Sequence, residues 1–302
     1  MCDSTNWDLH SVRIGPKRQS VTEERNKVVF LHGLLGSVGT YRSLLRRQDF
    51  LPDHEIMAVD LRNHGGSPHL SGKMTIPELE ADVVRWLRKR EESSFNPGIA
   101  KGGDASTVLD QGHPPVTLLG HSLGGKVAMR LAMTSPHLVE RLVVVDIAPR
   151  HYSLVGSCSA EAVHAMRMLD LRTLKSRVEA DEGLKRLGVR DAGVRMFLLT
   201  NLVHDKSDVQ TRFSWRVNIE TINDSIEELH GFPEDVLLLP PFRKPTLFVR
   251  GENSNFVRSE RDGDLIQRLF PNSAIKTVPH AGHWVQADAP DEFVRVVNEF
   301  LG

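Results

Sequence analysis

Cysteine is nearly absent from this chain. Two occur among 302 residues, Cys2 and Cys158. The first sits in a polar terminus expected to fray, so a structural disulfide is not expected and a reducing compartment is. An excess of either charge is also missing: 38 Lys and Arg against 39 Asp and Glu leave a formal net charge of −1. That balance gives no electrostatic basis for binding nucleic acid or an anionic membrane. No apolar run approaches the ~20 residues needed to cross a bilayer. The opening Met1-Cys2-Asp3-Ser4 lacks the charged-then-apolar plan of a secretory signal. These absences point to the cytoplasm. Arg13, Lys17, Arg18 and Arg25 keep a mitochondrial presequence as the alternative, with Asp3, Asp8, Glu23 and Glu24 counting against it. His280 and His283 have no second ligand pair and no glutamate-bearing zinc motif beside them, so a metal site is not expected. No cofactor is expected either.

What is present is an alternation of short apolar runs and amphipathic stretches. Hydrophobic residues make up 40% of the chain, enough for a sizeable core. Leu9 to Ile14 reads as an edge strand. Val28 to Leu31, Ile56 to Val59, Val116 to Leu119 and Arg141 to Val145 read as strands buried on both faces. Tyr41 to Arg47 looks helical. Thr75 and Glu78 form a capping-box pattern before a helix carrying Ile76, Leu79, Val83, Val84 and Leu87 on one face. Strands return at Thr246 to Val249 and Ala274 to Val278, with helices over Asp264 to Phe270 and Asp291 to Leu301. The pattern implies an α/β fold with a mostly parallel sheet flanked by helices.

Two blocks interrupt it. Residues 93–115 are rich in Gly, Pro and Ser and carry few large apolar residues, so a disordered surface insertion is expected. Residues 150–243 lose the strand rhythm. Ala160 to Leu187, Ala192 to Val203 and Ile219 to Leu229 have helical spacing, which predicts an inserted helical cap. Its Met166, Met168, Phe197, Leu198, Leu199 and Leu202 are expected to serve as core before substrate wall. The core would then comprise 1–149 and 244–302, with 150–243 as the cap.

The chemistry centres on Gly120-His121-Ser122-Leu123-Gly124, set between the strand from Val116 and a helical stretch from Lys126. Strand, G-x-S-x-G, helix is the context of a nucleophile elbow. A serine at so sharp a turn needs neighbours without bulk, and the helix N-terminus behind it adds positive potential where an oxyanion would form. Acyl transfer then needs a base, an orienting acid and oxyanion donors. The loop after the last strand offers His280 and His283. His283 is preferred because Gly282 frees the loop and Trp284 can shield the ring. The expected oxyanion donors are the backbone N–H groups of Leu123 and of Leu34, in the His32-Gly33-Leu34 loop after an early strand. His32, Asp60, Arg62 and Asn63 are expected to brace loops without reacting.

His32-Gly33, Asp60-x-Arg62-x-x-Gly65-x-Ser67, the elbow and Gly282-His283 together resemble the α/β-hydrolase superfamily. Phe30 to Ser37, Asp60 to Gly65, Gly120 to Lys126, Val145 to Pro149, Phe197 to Leu202 and Trp215 to Asn218 are similar to the branch that includes bacterial esterases and abhydrolase-domain proteins. The resemblance implies a cap inserted between the sixth and seventh strands. The commonest superfamily plan puts an aspartate in the loop after Thr246 to Val249, where this chain has Ser254. Asp146, at the end of the preceding strand, lies on the edge from which Ser122 emerges, and the resembled branch places its acid there. Glu252 or a Ser254-assisted dyad are the alternatives for the acid, and a turn cap is the structural alternative for Asp146. The expected function is a serine carboxylesterase or thioesterase acting on a small-molecule acyl ester or thioester. A ligand-binding receptor or pseudoenzyme on the same fold is the alternative from another class.

Overall fold

A computed structural model describes residues 7–18, 27–92, 114–205 and 212–302. All but the last two residues of the 93–115 insertion therefore lie outside the described residues. Among the described residues the main sheet has seven strands in the order β1-β3-β2-β4-β5-β8-β9. These are β1 (Ser11–Ile14), β2 (Lys27–Leu31), β3 (Glu55–Val59), β4 (Val116–His121), β5 (Val139–Val145), β8 (Thr246–Gly251) and β9 (Ser273–Val278). β1 pairs antiparallel with β3, and every other pairing in the sheet is parallel.

Alternation along the strands explains the continuous apolar runs. Val29 and Leu31 of β2 and Val144 of β5 point into one core layer, while Val28, Phe30, Val143 and Val145 point into the other. A parallel sheet covered on both faces has no polar side to show. The first layer is closed by Val83 and Trp86 of α2 (Ile76–Glu92) and by Val127 and Leu131 of α3 (Leu123–Thr134). The second is closed by Leu44 and Leu45 of α1 (Arg42–Leu45) and by Phe293 and Val297 of the C-terminal helix, Pro290–Leu301. The Thr75 and Glu78 pattern is a formed capping box. The Thr75 N–H donates to Glu78 Oε2 at 2.9 Å, and the Glu78 N–H donates to Thr75 Oγ1 at 3.3 Å.

Two expectations need correction in the segment between β5 and β8. It follows the fifth strand of the sheet and precedes the sixth, one strand earlier than expected, because the described residues before β2 supply a single strand. It is also not wholly helical. The expected helix over Ala160 to Leu187 divides into α4 (Cys158–Met168) and α5 (Arg177–Arg186), each with its own serine cap, Ser157 and Ser176. The expected helix over Ala192 to Val203 stops at Leu199 as α6 (Ala192–Leu199), and the chain turns into a hairpin of β6 (Leu202–Asp205) and β7 (Arg212–Trp215). Ile219 to Leu229 forms α7 (Ile219–Asp224) and α8 (Ile226–His230). Met166, Leu199 and Leu202 are buried core, Met168 is exposed, and Phe197 and Leu198 line a cavity.

Candidate active site

The parallel strands deliver their following loops to one edge of the sheet, the carboxyl edge where open α/β sheets hold their ligands. Ser122 follows β4, Asp146 follows β5, Ser254 follows β8 and His283 follows β9. The Gly33-Leu34 loop follows β2.

Ser122 stands at φ 51° and ψ −115°, a conformation that a side chain rarely tolerates. It persists because the surroundings over-determine it. The Ser122 N–H donates to Val145 O at 3.0 Å, and its carbonyl accepts from the Lys126 N–H at 3.1 Å. The flanking glycines are obligatory. A Cβ on Gly120 would lie 2.3 Å from Gly124 O, and one on Gly124 would lie 2.4 Å from Leu31 O.

The His283 ring bridges serine and aspartate. Its Nδ1 lies 2.7 Å from Asp146 Oδ2 and its Nε2 lies 3.1 Å from Ser122 Oγ. A carboxylate can only accept, so Nδ1 carries the proton and the Nε2 lone pair faces the serine hydroxyl. Asp146 is completely buried at φ 51°. Its Oδ1 accepts from the Gly251 N–H at 3.0 Å, and Ser254 Oγ donates to its Oδ2. Ser254 thus touches the carboxylate, not the histidine. Glu252 lies elsewhere, accepting from the His280 N–H at 2.8 Å, and His280 itself is exposed.

The expected shielding of His283 by Trp284 needs correction. Phe256 stacks on the His283 ring with centroids 3.9 Å apart and planes 22° apart, while the Trp284 ring stands 6.4 Å away and meets Phe197. Phe256 was not visible from sequence. It lies two residues beyond Ser254 in an irregular loop, where spacing carries no orientation.

The N–H groups of Leu34 and Leu123 have no acceptor among the described residues. Leu123 opens α3, where the first amides lack intrahelical partners. The Leu34 loop runs beside the serine, since a Cβ on Gly33 would come 3.2 Å from Ser122 Cβ. Three buried histidines set the loops around the serine. His32 Nδ1–H donates to Gly33 O at 2.8 Å and its Nε2 accepts from the Leu61 N–H at 2.9 Å. His64 Nε2 accepts from the Leu35 N–H at 3.1 Å. His121 Nε2–H donates to His283 O at 2.9 Å, and its Nδ1 accepts from the Tyr41 hydroxyl at 2.8 Å. Asp60 braces the neighbouring loop by accepting from the Val38 and Gly66 N–H groups at 2.6 and 2.8 Å. Arg62 pairs with Asp82, and Asn63 Oδ1 accepts from the Leu70 N–H at 2.8 Å.

Each of these histidines must stay neutral to keep one acceptor nitrogen. Burial is the main cause that lowers the pKa of His64 from 6.5 to about 3, with His32 adding to it. Burial, then the neighbouring His283, lowers that of His121 to about 3. Burial also lowers that of His32. Below pH 6.5 the unfolded chain therefore binds protons that the native state refuses, and stability falls as pH drops through this window towards 3. Melting temperature should stay level down to about pH 6.5 and then decline, and the non-titrating His121→Gln should make the decline shallower. A melting temperature constant from pH 7 to pH 4 would contradict this account.

A cavity of about 270 Å³ opens beside Ser122. Its lining is mainly apolar, with Ile147, Val194, Phe197, Leu198, Leu229 and Phe256 contributing. No group of three or more His, Cys, Asp or Glu side chains among the described residues is placed to hold a metal ion. No helix among them is long and apolar enough to cross a membrane.

A seven-stranded sheet with a serine elbow, an acid and a histidine at its carboxyl edge defines a class, and the chain belongs to it: residues 28–296 match the α/β hydrolase family. Among named relatives, the chain is 38% identical to mouse "sn-1-specific diacylglycerol lipase ABHD11", over 91% of this chain and 80% of the relative. It is 28% identical to Escherichia coli "Esterase YbfF", over 96% and 99% of the two chains. A solved "Marine microorganism esterase" superposes with a TM-score of 0.78 at 27% identity, covering 97% of this chain and 99% of that one.

Proposed function

We propose that this α/β hydrolase is a serine hydrolase that cleaves carboxylic esters or thioesters of small to medium acyl groups through an acyl-enzyme. The observation that carries this reading is the continuous hydrogen-bond chain from Ser122 Oγ through His283 to the buried Asp146, at 3.1 and 2.7 Å. In this reading Ser122 Oγ attacks the acyl carbonyl while His283 Nε2 takes its proton, and Asp146 stabilises the imidazolium. The Leu34 and Leu123 N–H groups bind the developing oxyanion. His283 then protonates the departing alcohol or thiol. Water, deprotonated by the same nitrogen, attacks the acyl-enzyme and restores Ser122. Residues 150–243 act as the cap that supplies Val194, Phe197, Leu198 and Leu229 to the cavity. The cavity volume favours short chains; for scale, an apolar cavity of about 150 Å³ accommodates benzene. The names of the relatives place carboxylic esters, glycerolipids among them, first in the panel to be tried.

A fluorophosphonate probe should label the wild-type protein, with mass spectrometry placing the adduct on Ser122. A panel of acyl esters, acyl thioesters and a diacylglycerol should show turnover that the adduct abolishes. Neither labelling nor turnover across the panel would replace this reading with that of a ligand-binding protein on a hydrolase fold.

A further inference from the structure

Lys126 is buried at 3% exposure, one helical turn beyond Ser122 on α3. Among the described residues no carboxylate pairs with it. Its Nζ instead donates to three backbone carbonyls in a row, Leu229 O at 2.9 Å, His230 O at 2.8 Å and Gly231 O at 2.8 Å. These carbonyls end α8, where a helix leaves its last acceptors unsatisfied and its dipole favours a cation. His230 O has a second donor, the Tyr152 N–H at 2.9 Å. Leu229 O and Gly231 O have no other donor among the described residues. The Tyr152 ring lies 5.0 Å from Nζ, and the Tyr152 hydroxyl bonds the Ala148 N–H and Phe256 O at 2.8 and 2.7 Å.

An ammonium without a carboxylate is costly to bury, and here its whole donor capacity serves one short stretch of backbone. Burial, then the nearby Arg150 guanidinium, lowers its pKa to about 7. Such an arrangement would be wasteful if it merely filled space, since Met or Leu would pack without that cost. The stretch it holds is not remote from the chemistry. Leu229 and His230 line the cavity beside Ser122, as does Lys126 itself.

We infer that Lys126 is a specificity-determining positioning residue: by fastening residues 229–231 to the nucleophile helix it fixes the cavity wall that longer acyl chains rest against. This rests on the serine hydrolase reading. Short acyl groups are held by the oxyanion donors and the elbow, which do not depend on that wall. Each further methylene gains from wall contact only while the wall is ordered.

The test is Lys126→Met, assayed with p-nitrophenyl esters from acetyl to octanoyl. The ratio of octanoyl to acetyl kcat/KM should fall by about tenfold, through KM for the longer ester. A variant that leaves this ratio within about twofold of wild type, or raises it, overturns the inference. A uniform loss at every chain length also overturns it, because that is what general damage does. Lys126→Gln keeps two N–H donors and should show a smaller fall of the same sign. It carries the test alone if the two carbonyls left unsatisfied, Leu229 O and Gly231 O, prevent Lys126→Met from folding. Fluorophosphonate labelling of wild-type Ser122 is run in parallel. Absence of labelling there sinks the hydrolase reading, whereas labelling with an unchanged ratio sinks the role of Lys126 alone.

Discussion

Asp146→Asn should lower kcat by about 10⁴ while leaving the fold intact. The amide keeps the shape and can still accept from the Gly251 N–H, which now meets Oδ1 at 3.0 Å. It cannot stabilise an imidazolium. If its NH₂ turns towards His283, the ring is forced into the tautomer with its proton on Nε2, pointing at a serine it should deprotonate. The contrast with neighbouring residues is what makes the measurement decisive. Ser254→Ala removes one donor from a carboxylate that keeps its other partners, and should cost less than about tenfold. Glu252→Gln changes an exposed side chain bonded to the His280 N–H, and should be near wild type. A folded Asp146→Asn enzyme with near-normal kcat, beside a dead Glu252→Gln, would move the acid to Glu252.

Replacing Ser122 should have a larger effect still, about 10⁶ in kcat for Ser122→Ala, and labelling should vanish with it. The more informative comparison is Ser122→Gly. Both variants lack the Ser122 hydroxyl. Only glycine adopts φ 51° and ψ −115° without steric cost, so the glycine variant should be the more stable of the two by about 1 to 3 kcal/mol in chemical denaturation. Equal stabilities would mean that the elbow stores no strain. The catalytic geometry would then cost the protein nothing to hold.

The parts of the fold that were legible in the sequence are those whose signal is local. Val116 to Gly124 announces strand and turn because the apolar run and the two glycines are adjacent. The close approaches of Gly120 to Gly124 and of Gly124 to Leu31 O explain why no other residue would serve. The nearness of Asp146 to His283 was reachable because a parallel sheet delivers successive strand ends to one edge. The segment after β5 was harder. Phe197, Leu198, Leu199 and Leu202 have helical spacing, yet the helix ends at Leu199 and Leu202 begins a strand. Its partner, Arg212–Trp215, supplies hydrogen bonds that no local window contains. The stacking of Phe256 on His283 and the grip of Lys126 on residues 229–231 were invisible for the same reason: each joins segments more than 25 residues apart.

The seat of the carboxylate has a wider consequence. The Ser122 N–H is bonded to Val145 O, the residue just before Asp146, so Ser122 and Asp146 are tethered to each other through one peptide contact between adjacent strands. His283 reaches both from the loop after β9, and that loop is itself tied to β4, since His121 Nε2–H donates to His283 O at 2.9 Å. The turn after β8 is thereby released from carrying charge. It contributes a hydroxyl to Asp146 and an aromatic face to the His283 ring. Substitutions at residues 255–257 should therefore reshape the cavity that Phe256 lines while the Ser122 to Val145 tether stays as it is.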